Sequence, residues 1–239
     1  IGTNFANDYF DFKKGIDTEE RLGPMRVTQA ELVNPVTMKR ATILVFALAL
    51  LVGVYLVWLG GWPIVVIGLL SILFGILYTG GPYPLGYNGW GDIFVLIFFG
   101  PVAVGGTYYV QTLDINLTVL IAGLAPGLFS VAILTVNNLR DLDNDRASGK
   151  KTLAIRFGRT FTLIEYRLTI LIACLIPILL VLVERNHLPV IAATVTLIPA
   201  FVAMHKVSRI HGRKLNDCLA LTGQLLLLYS LIFSVSWII

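Results

Sequence analysis

Long apolar runs dominate the pattern of hydrophobic and polar positions along the chain. Seven of them approach the roughly 20 residues that a helix needs to cross a bilayer. Continuous apolar runs of this length are helical in pattern, whereas the strands of membrane barrels alternate every second residue. The sequence therefore predicts an all-α, polytopic bundle of transmembrane helices. The predicted spans are residues 41–59, 62–78, 93–113, 115–136, 161–183, 188–204 and 218–239.

A polar and aromatic segment, residues 1–12, precedes the first predicted span and begins "IGTNFANDYF". This segment has neither an initiator Met nor the pattern of a signal peptide. We therefore expect sequence to be missing before Ile1. Residues 1–239 are predicted to form a single transmembrane domain that is truncated at its N terminus.

The composition agrees with a membrane protein, because 56% of the 239 residues are hydrophobic and only 13% are charged. A globular domain usually has about a quarter charged residues. If the first polar stretch is cytoplasmic, only Arg185 of the 18 Lys and Arg falls outside. This bias explains the basic pI without nucleic acid, and it predicts a multi-pass protein of the cell membrane. The predicted cytoplasmic segments are 13–40, 79–90, 139–160 and 205–217.

Two polar clusters stand where predicted helices meet the cytoplasmic segments, in "NFANDYFDFKKGID" and "VNNLRDLDNDRASGKKT". Acids near an apolar phase are costly unless they are paired, bound to a metal or turned toward water. At about 100° per residue, four polar side chains of each cluster share one helix face, and Asp143 points away from its face. The two sets are Asn4, Asn7, Asp8 and Asp11, and Asn137, Asn138, Asp141 and Asp145.

Two such faces opposite each other would concentrate four carboxylates, which repel one another unless a cation relieves them. Mg²⁺ takes one or two carboxylates per site and completes its coordination with water and phosphate oxygens. The spacing therefore predicts a phosphate or diphosphate site bridged by Mg²⁺. The alternative is that these acids are helix-end residues solvated in the cytoplasmic loops.

On these motifs the chain resembles the UbiA superfamily of intramembrane aromatic prenyltransferases. Two Asp-rich motifs in that superfamily bind the diphosphate of a prenyl donor through Mg²⁺. The stretch "NDYFDFKKGIDTEERLGPMRVTQ" is similar to the 1,4-dihydroxy-2-naphthoate polyprenyltransferases, the MenA branch, and "NNLRDLDNDRASGKKTLAIRFGR" is shared more widely. The resemblance implies a nine-helix bundle, of which about one and a half helices would precede Ile1.

The resemblance also implies roles for individual residues. Lys and Arg side chains near the motifs would stabilise a leaving diphosphate, and loop tyrosines would position the aromatic acceptor. Each of these residues also has an alternative explanation. The basic residues can be loop charges that set the orientation in the membrane, and the tyrosines can be aromatic residues of the membrane interface. The predicted catalytic residues are Asp11, Asp141 and Lys151, and the predicted metal ligands are Asn7, Asp11, Asp141 and Asp145. The predicted substrate-binding residues are Asn4, Asp8, Lys14, Arg21, Arg26, Tyr78, Tyr83, Asn137, Asn138, Lys151 and Arg156, with Tyr87 as a further aromatic candidate. We favour the diphosphate as the partner of Arg21, which is nearer the first motif, and the acceptor as the partner of Arg26.

Two departures from the superfamily pattern are visible. The first motif often ends on a third Asp, where this chain has Gly15 and then Asp17. Many members carry Tyr-x-x-x-Lys in the loop after the fourth helix, whereas "YTGGPYPLGY" contains no basic residue. The third metal ligand and the basic partner of the diphosphate are therefore left open.

The implied reaction is transfer of a polyprenyl group from polyprenyl diphosphate to 1,4-dihydroxy-2-naphthoate. Carbon dioxide and diphosphate leave, and demethylmenaquinol of menaquinone synthesis forms. The implied partners are the two substrates, Mg²⁺ and the lipid bilayer, and no nucleic acid. The alternatives are another acceptor, such as 4-hydroxybenzoate, homogentisate or a chlorophyllide, and a membrane transporter whose acids line an ion path.

Overall fold

A computed structural model of the protein describes residues 1–16, 21–185 and 187–239, and in these residues helices are the regular secondary structure. The α-helices are α1 (Gly2–Lys13), α2 (Pro35–Gly60), α3 (Trp62–Leu77), α4 (Gly91–Phe99), α5 (Pro101–Thr112), α6 (Leu117–Arg140), α7 (Leu142–Ala147), α8 (Leu153–Glu184), α9 (Leu197–Arg209) and α10 (Leu215–Ile238). Two 3₁₀ segments, Leu188–Thr196 and Gly212–Lys214, precede α9 and α10. The predicted all-α class is confirmed.

Six helical stretches are long and apolar enough to cross a membrane: Pro35–Gly60, Gly91–Thr112, Leu117–Arg140, Leu153–Glu184, Leu188–Arg209 and Gly212–Ile238. The seventh predicted span, 62–78, is the shorter apolar helix α3. Its 16 residues correspond to about 24 Å, less than the roughly 30 Å of a hydrocarbon core. Large apolar side chains of α2, such as Leu51 and Trp58, are exposed, as expected for a surface that faces lipid. The chain is therefore a multi-pass membrane protein.

Short polar caps begin two of these apolar helices. The Asn34 side chain accepts a hydrogen bond from the backbone N–H of Val36 at the start of α2, which has Pro35 in its first turn. The Asn116 side chain accepts one from Val119 at the start of α6. Such caps satisfy N–H groups that have no partner inside the helix. These two helices therefore begin directly after an Asn.

The chain divides into two compact units. The first contains residues Ile1–Gly91 and Asp143–Thr152, and the second contains Asp92–Leu142 and Leu153–Ile239. In the first unit α1 packs against α2 and α3. A Cβ on Gly75 would lie 2.8 Å from the hydroxyl of Thr3, so a side chain at this position would push α1 away from α3. That the whole chain is one domain stays a prediction.

The core of the second unit forms between α6, α8 and α10. Phe129 of α6 and Tyr229 of α10 are buried with ring centroids 5.3 Å apart. The buried hydroxyl of Tyr166 on α8 shares a hydrogen bond of 2.9 Å with Thr222 of α10. The polar end of the tyrosine thus has a partner inside an apolar core, where an unpaired hydroxyl would be costly.

Small residues bring α6 close to the break between α4 and α5. A Cβ on Gly127 would lie 2.7 Å from the carbonyl oxygen of Leu96 and 2.9 Å from the Cα of Gly100. One on Gly123 would lie 3.0 Å from the Cα of Pro101. Gly123 and Gly127 are four residues apart, the spacing by which helices in membranes approach each other closely. The glycines of this helix are therefore packing residues.

The second polar cluster does not continue as one helix, which corrects a prediction. The α6 helix ends at Arg140, Asp141 has φ −94° and ψ 9°, and α7 begins at Leu142. Asp145 therefore does not share a helix face with Asn137 and Asp141. Asp and Asn favour caps and turns because their side chains compete for backbone hydrogen bonds, which explains a break within "RDLDND". The prediction for Asp143 is confirmed, because its side chain is 91% exposed.

Candidate active site

The last two turns of α1 hold a pair of buried carboxylates. Asp8 and Asp11 are 6% and 5% exposed, and Asn7 on the same helix is half-buried. Residues three and four apart lie on one face of a helix, so the sequence places these three side chains together locally. The shared face predicted for the first motif is therefore present, although Asn4 on the preceding turn is exposed.

Asp11 is contacted by two segments that follow it in the sequence. Its Oδ1 accepts a hydrogen bond from the hydroxyl of Tyr87, which lies in the loop after α3. Its Oδ2 lies 3.7 Å from a guanidinium nitrogen of Arg26. Both partners are donors, so a buried negative charge is stabilised here. This geometry can present a carboxylate, an arginine and a phenol to one ligand.

Asp8 supports the segment that carries Arg26. Its two carboxylate oxygens accept hydrogen bonds from the backbone N–H groups of Val27 (3.2 Å) and Thr28 (3.3 Å). Thr28 is buried beside it, and its hydroxyl has no hydrogen-bond partner within the described part of the chain. Both oxygens of the Asp8 carboxylate thus accept hydrogen bonds from the protein backbone. Its predicted contact with substrate stays a prediction.

Lys14 and Asn7 join α1 to the loop that follows α3. The Lys14 ammonium donates to the carbonyl oxygen of Thr79 at 2.6 Å, and the Thr79 hydroxyl donates to the amide oxygen of Asn7 at 2.9 Å. The same ammonium lies 4.8 Å from the ring centroid of Tyr87. Burial lowers the pKa of Lys14, and the charge of Asp11 opposes that effect. The loop thus packs on the first motif.

Residues of the second motif complete this cluster. Asp145 is buried and accepts a hydrogen bond of 2.7 Å from the ammonium of Lys150, which is itself 5.1 Å from the ring centroid of Tyr87. The backbone N–H of the next residue, Lys151, donates to the carbonyl oxygen of Tyr87 at 2.6 Å. The structure therefore brings Asp11, Lys14 and Asp145 into contact with one network. The side chain of Lys151 is exposed.

In the second unit, Asp141 has a different environment. The guanidinium of Arg140 donates two hydrogen bonds to its carboxylate, at 2.8 and 2.6 Å, and a third to the side-chain oxygen of Asn216 at 2.7 Å. Arg140 is buried, so its charge has these partners in place of water. The half-buried Asn137, one turn earlier, accepts the backbone N–H of Asp141 on its carbonyl. Arg140 therefore orients Asp141.

The remaining predicted residues lie in several different environments. Gly86 leaves room for the ring of Tyr78, since a Cβ there would lie 2.8 Å from it, whereas Tyr83 is exposed. The Nε of Arg21 donates to the carbonyl of Pro24. Asn138 is half-buried in α6, Arg156 is exposed on α8, and Asp17 lies outside the described residues. Arg26 contacts Asp11. The assignment of Arg21 to the diphosphate and of Arg26 to the acceptor stays a prediction.

The donor chemistry of the first unit fits a hard divalent cation. Within the described parts of the chain, no three His, Cys, Asp or Glu side chains gather as a ready metal cluster. Mg²⁺ does not require one, because one or two carboxylates suffice when phosphate oxygens and water supply the rest. Asp11 and Asp145, both buried and both tied to the Tyr87 network, are carboxylates of this kind, and Asn7 adds an amide oxygen. The oxygen set suits Mg²⁺ better than a thiolate-seeking or imidazole-seeking metal.

Sequence reasoning did not single out several residues that organise these clusters: Thr79, Arg140 and Lys150. Lys150 stands beside Lys151 in "GKKT", and a signal for choosing between them was absent, because both are loop lysines in sequence. Arg140 directly precedes Asp141, and a basic residue next to a motif acid was a usable signal. Thr79 is recognised through its partners in space alone.

The chain matches the UbiA prenyltransferase family over residues 1–232. It is 43% identical over 162 residues to the 1,4-dihydroxy-2-naphthoate octaprenyltransferase of Haemophilus influenzae, covering 65% of this chain and 53% of the relative. It is 35% identical over 235 residues to the enzyme of the same name from Mycobacterium tuberculosis, covering 97% of this chain and 78% of the relative. The chain thus spans about half the length of several curated relatives that it matches.

A human UbiA prenyltransferase domain-containing protein 1 is 34% identical over 168 residues, which cover 68% of this chain and 48% of that protein. The fold is also similar to a solved structure from work on digeranylgeranylglyceryl phosphate synthase in membranes. That comparison has a TM-score of 0.62 at 18% identity, and it covers 99% of this chain and 81% of the other. The family match over nearly the whole sequence agrees with the bundle and with both motifs, and the chain belongs to the UbiA prenyltransferase family.

Proposed function

We propose that this chain carries the catalytic part of a 1,4-dihydroxy-2-naphthoate polyprenyltransferase. It transfers a polyprenyl group from a polyprenyl diphosphate to the naphthoate, releasing diphosphate and carbon dioxide and giving demethylmenaquinol. Relatives of that name at 43% and 35% identity support the choice of acceptor. The observation that supports the chemistry most directly is the Asp11 cluster, in which buried acids meet bases from three segments of the chain.

The charges of this cluster suit a diphosphate. Three acids, Asp8, Asp11 and Asp145, are balanced by three bases, Lys14, Arg26 and Lys150. UbiA prenyltransferases are generally dependent on a divalent metal. We propose that Asp11 and Asp145, with the amide oxygen of Asn7, would hold Mg²⁺, which would supply positive charge for the leaving diphosphate. A divalent cation added to this balanced set of charges would make the site cationic, which would favour binding of the anionic donor.

The reaction requires the bond between the allylic carbon and the diphosphate oxygen to break. Its electron pair leaves with the diphosphate, whose charge Arg26 and Lys14 stabilise by charged hydrogen bonds. The allylic carbon then bonds to the ring carbon that carries the carboxylate. Loss of carbon dioxide returns the bonding electrons to the ring, so no proton needs to leave from that carbon. The apolar helices hold the prenyl tail and keep water from the cation.

For the acceptor, the tyrosines of the loop after α3 are the candidates. The ring of Tyr78 lies against Gly86, where a Cβ would come within 2.8 Å of it, and Tyr83 is exposed. Aromatic faces can stack on a naphthalene ring or stabilise a nearby carbocation. The roles that the sequence predicts for Asn137, Asp141, Lys151 and Arg156 stay predictions.

The protein is proposed to lie in the cell membrane with its catalytic residues toward the cytoplasm. The distribution of Lys and Arg supports this orientation, since only Arg185 falls on the other side when seven helices cross. In this topology α3 must cross as well, and short apolar helices can do so where the bilayer thins around them. Cysteine labelling of loop positions in intact cells measures the orientation.

Turnover with defined substrates tests the proposal. Membranes that contain the protein are given 1,4-dihydroxy-2-naphthoate and a labelled polyprenyl diphosphate, with Mg²⁺ or with excess chelator. We expect a prenylated, decarboxylated product that requires Mg²⁺ and returns when Mg²⁺ is restored. Matched reactions with 4-hydroxybenzoate and homogentisate control for the acceptor. Prenylation of another acceptor alone would reject the naphthoate assignment, and undiminished activity in chelator would reject the metal site.

A further inference from the structure

Tyr87 lies at the meeting point of three segments of the first unit. Its hydroxyl donates to Asp11 of α1, and its carbonyl oxygen accepts the backbone N–H of Lys151 in the second motif. Its aromatic ring has two ammonium groups near it, those of Lys14 and Lys150, at 4.8 and 5.1 Å from the centroid. The side chain is half-buried. A single tyrosine thus contacts both motifs through three different kinds of interaction.

The two lysines come from distant parts of the sequence, and the loop of Tyr87, residues 78–90, contains no Lys or Arg of its own. Since both ammonium groups are about 5 Å from the same ring centre, they are at most about 10 Å apart. Two cations at this distance repel each other unless anions lie between or beside them. The ring supplies one negative face region, and Asp145 supplies a carboxylate to Lys150.

Each ammonium keeps capacity for a ligand. A lysine ammonium has three N–H donors. Lys14 uses one for the carbonyl oxygen of Thr79, and Lys150 uses one for Asp145. Each can therefore donate to a phosphate oxygen while it keeps the contact that fixes its position. Lysines held in this way lose less side-chain entropy on binding an anion than lysines free in solvent.

We propose that Tyr87 is a positioning residue that holds Lys14 and Lys150 as a pair of cations for the diphosphate of the prenyl donor. This inference rests on the proposed function for the identity of the donor, and it adds Lys150 and Tyr87 to the residues that serve it. The pair supplies the positive charge that the loop after α3 lacks. The ring of Tyr87 sets the separation of the two ammonium groups, and its hydroxyl fixes the ring to Asp11.

Binding of inorganic pyrophosphate, measured with Mg²⁺ present by titration calorimetry in nanodiscs, tests the role of the lysines. We expect Lys14→Gln and Lys150→Gln each to weaken binding about 10- to 150-fold, the effect of losing one charged hydrogen bond. The matched controls are Lys13→Gln, an exposed neighbour on α1, and Arg146→Gln, an exposed base on α7. Equal weakening in the variants and their controls would mean that only net charge matters, and would overturn the inference.

The role of the ring is tested by comparing two substitutions. Tyr87→Phe keeps the ring near both lysines and loses the hydrogen bond to Asp11, so we expect it to weaken pyrophosphate binding less than removal of the ring does. Tyr87→Leu removes the ring, and we expect weakening similar to that of Lys150→Gln. The double variant of Tyr87→Leu with Lys150→Gln should weaken pyrophosphate binding by a factor smaller than the product of the two single factors, because both substitutions disturb the same interaction. Wild-type affinity in Tyr87→Leu, or multiplicative effects in the double variant, would overturn the positioning role.

Two further measurements keep the outcome decisive. Lys150→Arg retains the charge and should restore most of the affinity, which a purely structural defect would not allow. Turnover of the wild-type protein with 1,4-dihydroxy-2-naphthoate reports on the proposed function separately. Pyrophosphate binding that depends on the lysines supports the inference even if the naphthoate is not prenylated. Turnover with the naphthoate alongside lysine-independent binding rejects the inference alone.

Discussion

The structural role of Asp8 predicts a local opening when its carboxylate is removed. Asp8 is buried, and its two oxygens accept the backbone N–H groups of Val27 and Thr28 at 3.2 and 3.3 Å. Hydrogen bonds to a charged group contribute about 1.5–3 kcal/mol each, and these two are at the long end of the distance range. We therefore expect Asp8→Ala to destabilise the segment around Thr28 by about 3 kcal/mol, roughly a 100-fold increase in its open population.

Amide hydrogen exchange measures this opening directly, since exchange of Val27 and Thr28 requires their N–H groups to leave the carboxylate. Peptides that contain these two residues should exchange about 100-fold faster in Asp8→Ala. Asp143→Ala, which removes an acid that is 91% exposed in the same unit, is the matched control and should leave exchange unchanged. Peptides from α10 provide an internal reference.

The result also separates two roles for Asp8. If its carboxylate binds substrate and does not hold the backbone, the exchange of Val27 and Thr28 stays at the wild-type rate while turnover falls. That outcome would refute the reasoning above. If both change, Arg26, which adjoins this segment and contacts Asp11, loses its position, and the fall in turnover follows from the loss of the support.

Three other outcomes are expected. Asp141→Asn should abolish turnover and leave membrane insertion intact, whereas Asp143→Asn should stay close to wild type because surface substitutions change stability by less than about 0.5 kcal/mol; equal losses would contradict this. Gly127→Ala should lower the free energy of unfolding by about 1–3 kcal/mol because its Cβ would meet a backbone carbonyl of α4, and thermal unfolding in detergent, with Gly223→Ala as the unhindered control, measures the difference. Arg26→Ala should raise the KM for the prenyl diphosphate more than the KM for the acceptor, since its guanidinium adjoins the first motif; steady-state kinetics with each substrate varied would show the reverse if Arg26 binds the naphthoate carboxylate.

The sequence alone determined the helices and the part of the site that lies on the single helix α1. Apolar runs near 20 residues satisfy their backbone groups in a membrane by forming helices, and each predicted span is helical. Span 93–113 is divided into α4 and α5, span 188–204 begins as a 3₁₀ segment, and α3 is shorter than the membrane core. The spacing of Asn7, Asp8 and Asp11 put three side chains together because a helix repeats every 3.6 residues. Both features depend only on residues that are close in the sequence, so the sequence pattern is sufficient to predict them.

Tertiary structure decided which of these side chains meet residues from elsewhere. The contact of Tyr87 with Asp11 joins residues 76 apart, and that of Lys14 with Thr79 joins residues 65 apart. No periodicity connects positions so distant, and one lysine of "GKKT" resembles the next until the chain has folded. The end of α6 at Arg140 is a similar case, because the paired charge of Asp141 and the turn propensity of the following residues outweighed the helical spacing of the motif. Periodicity specifies which residues share a helix face, whereas packing between helices selects their partners.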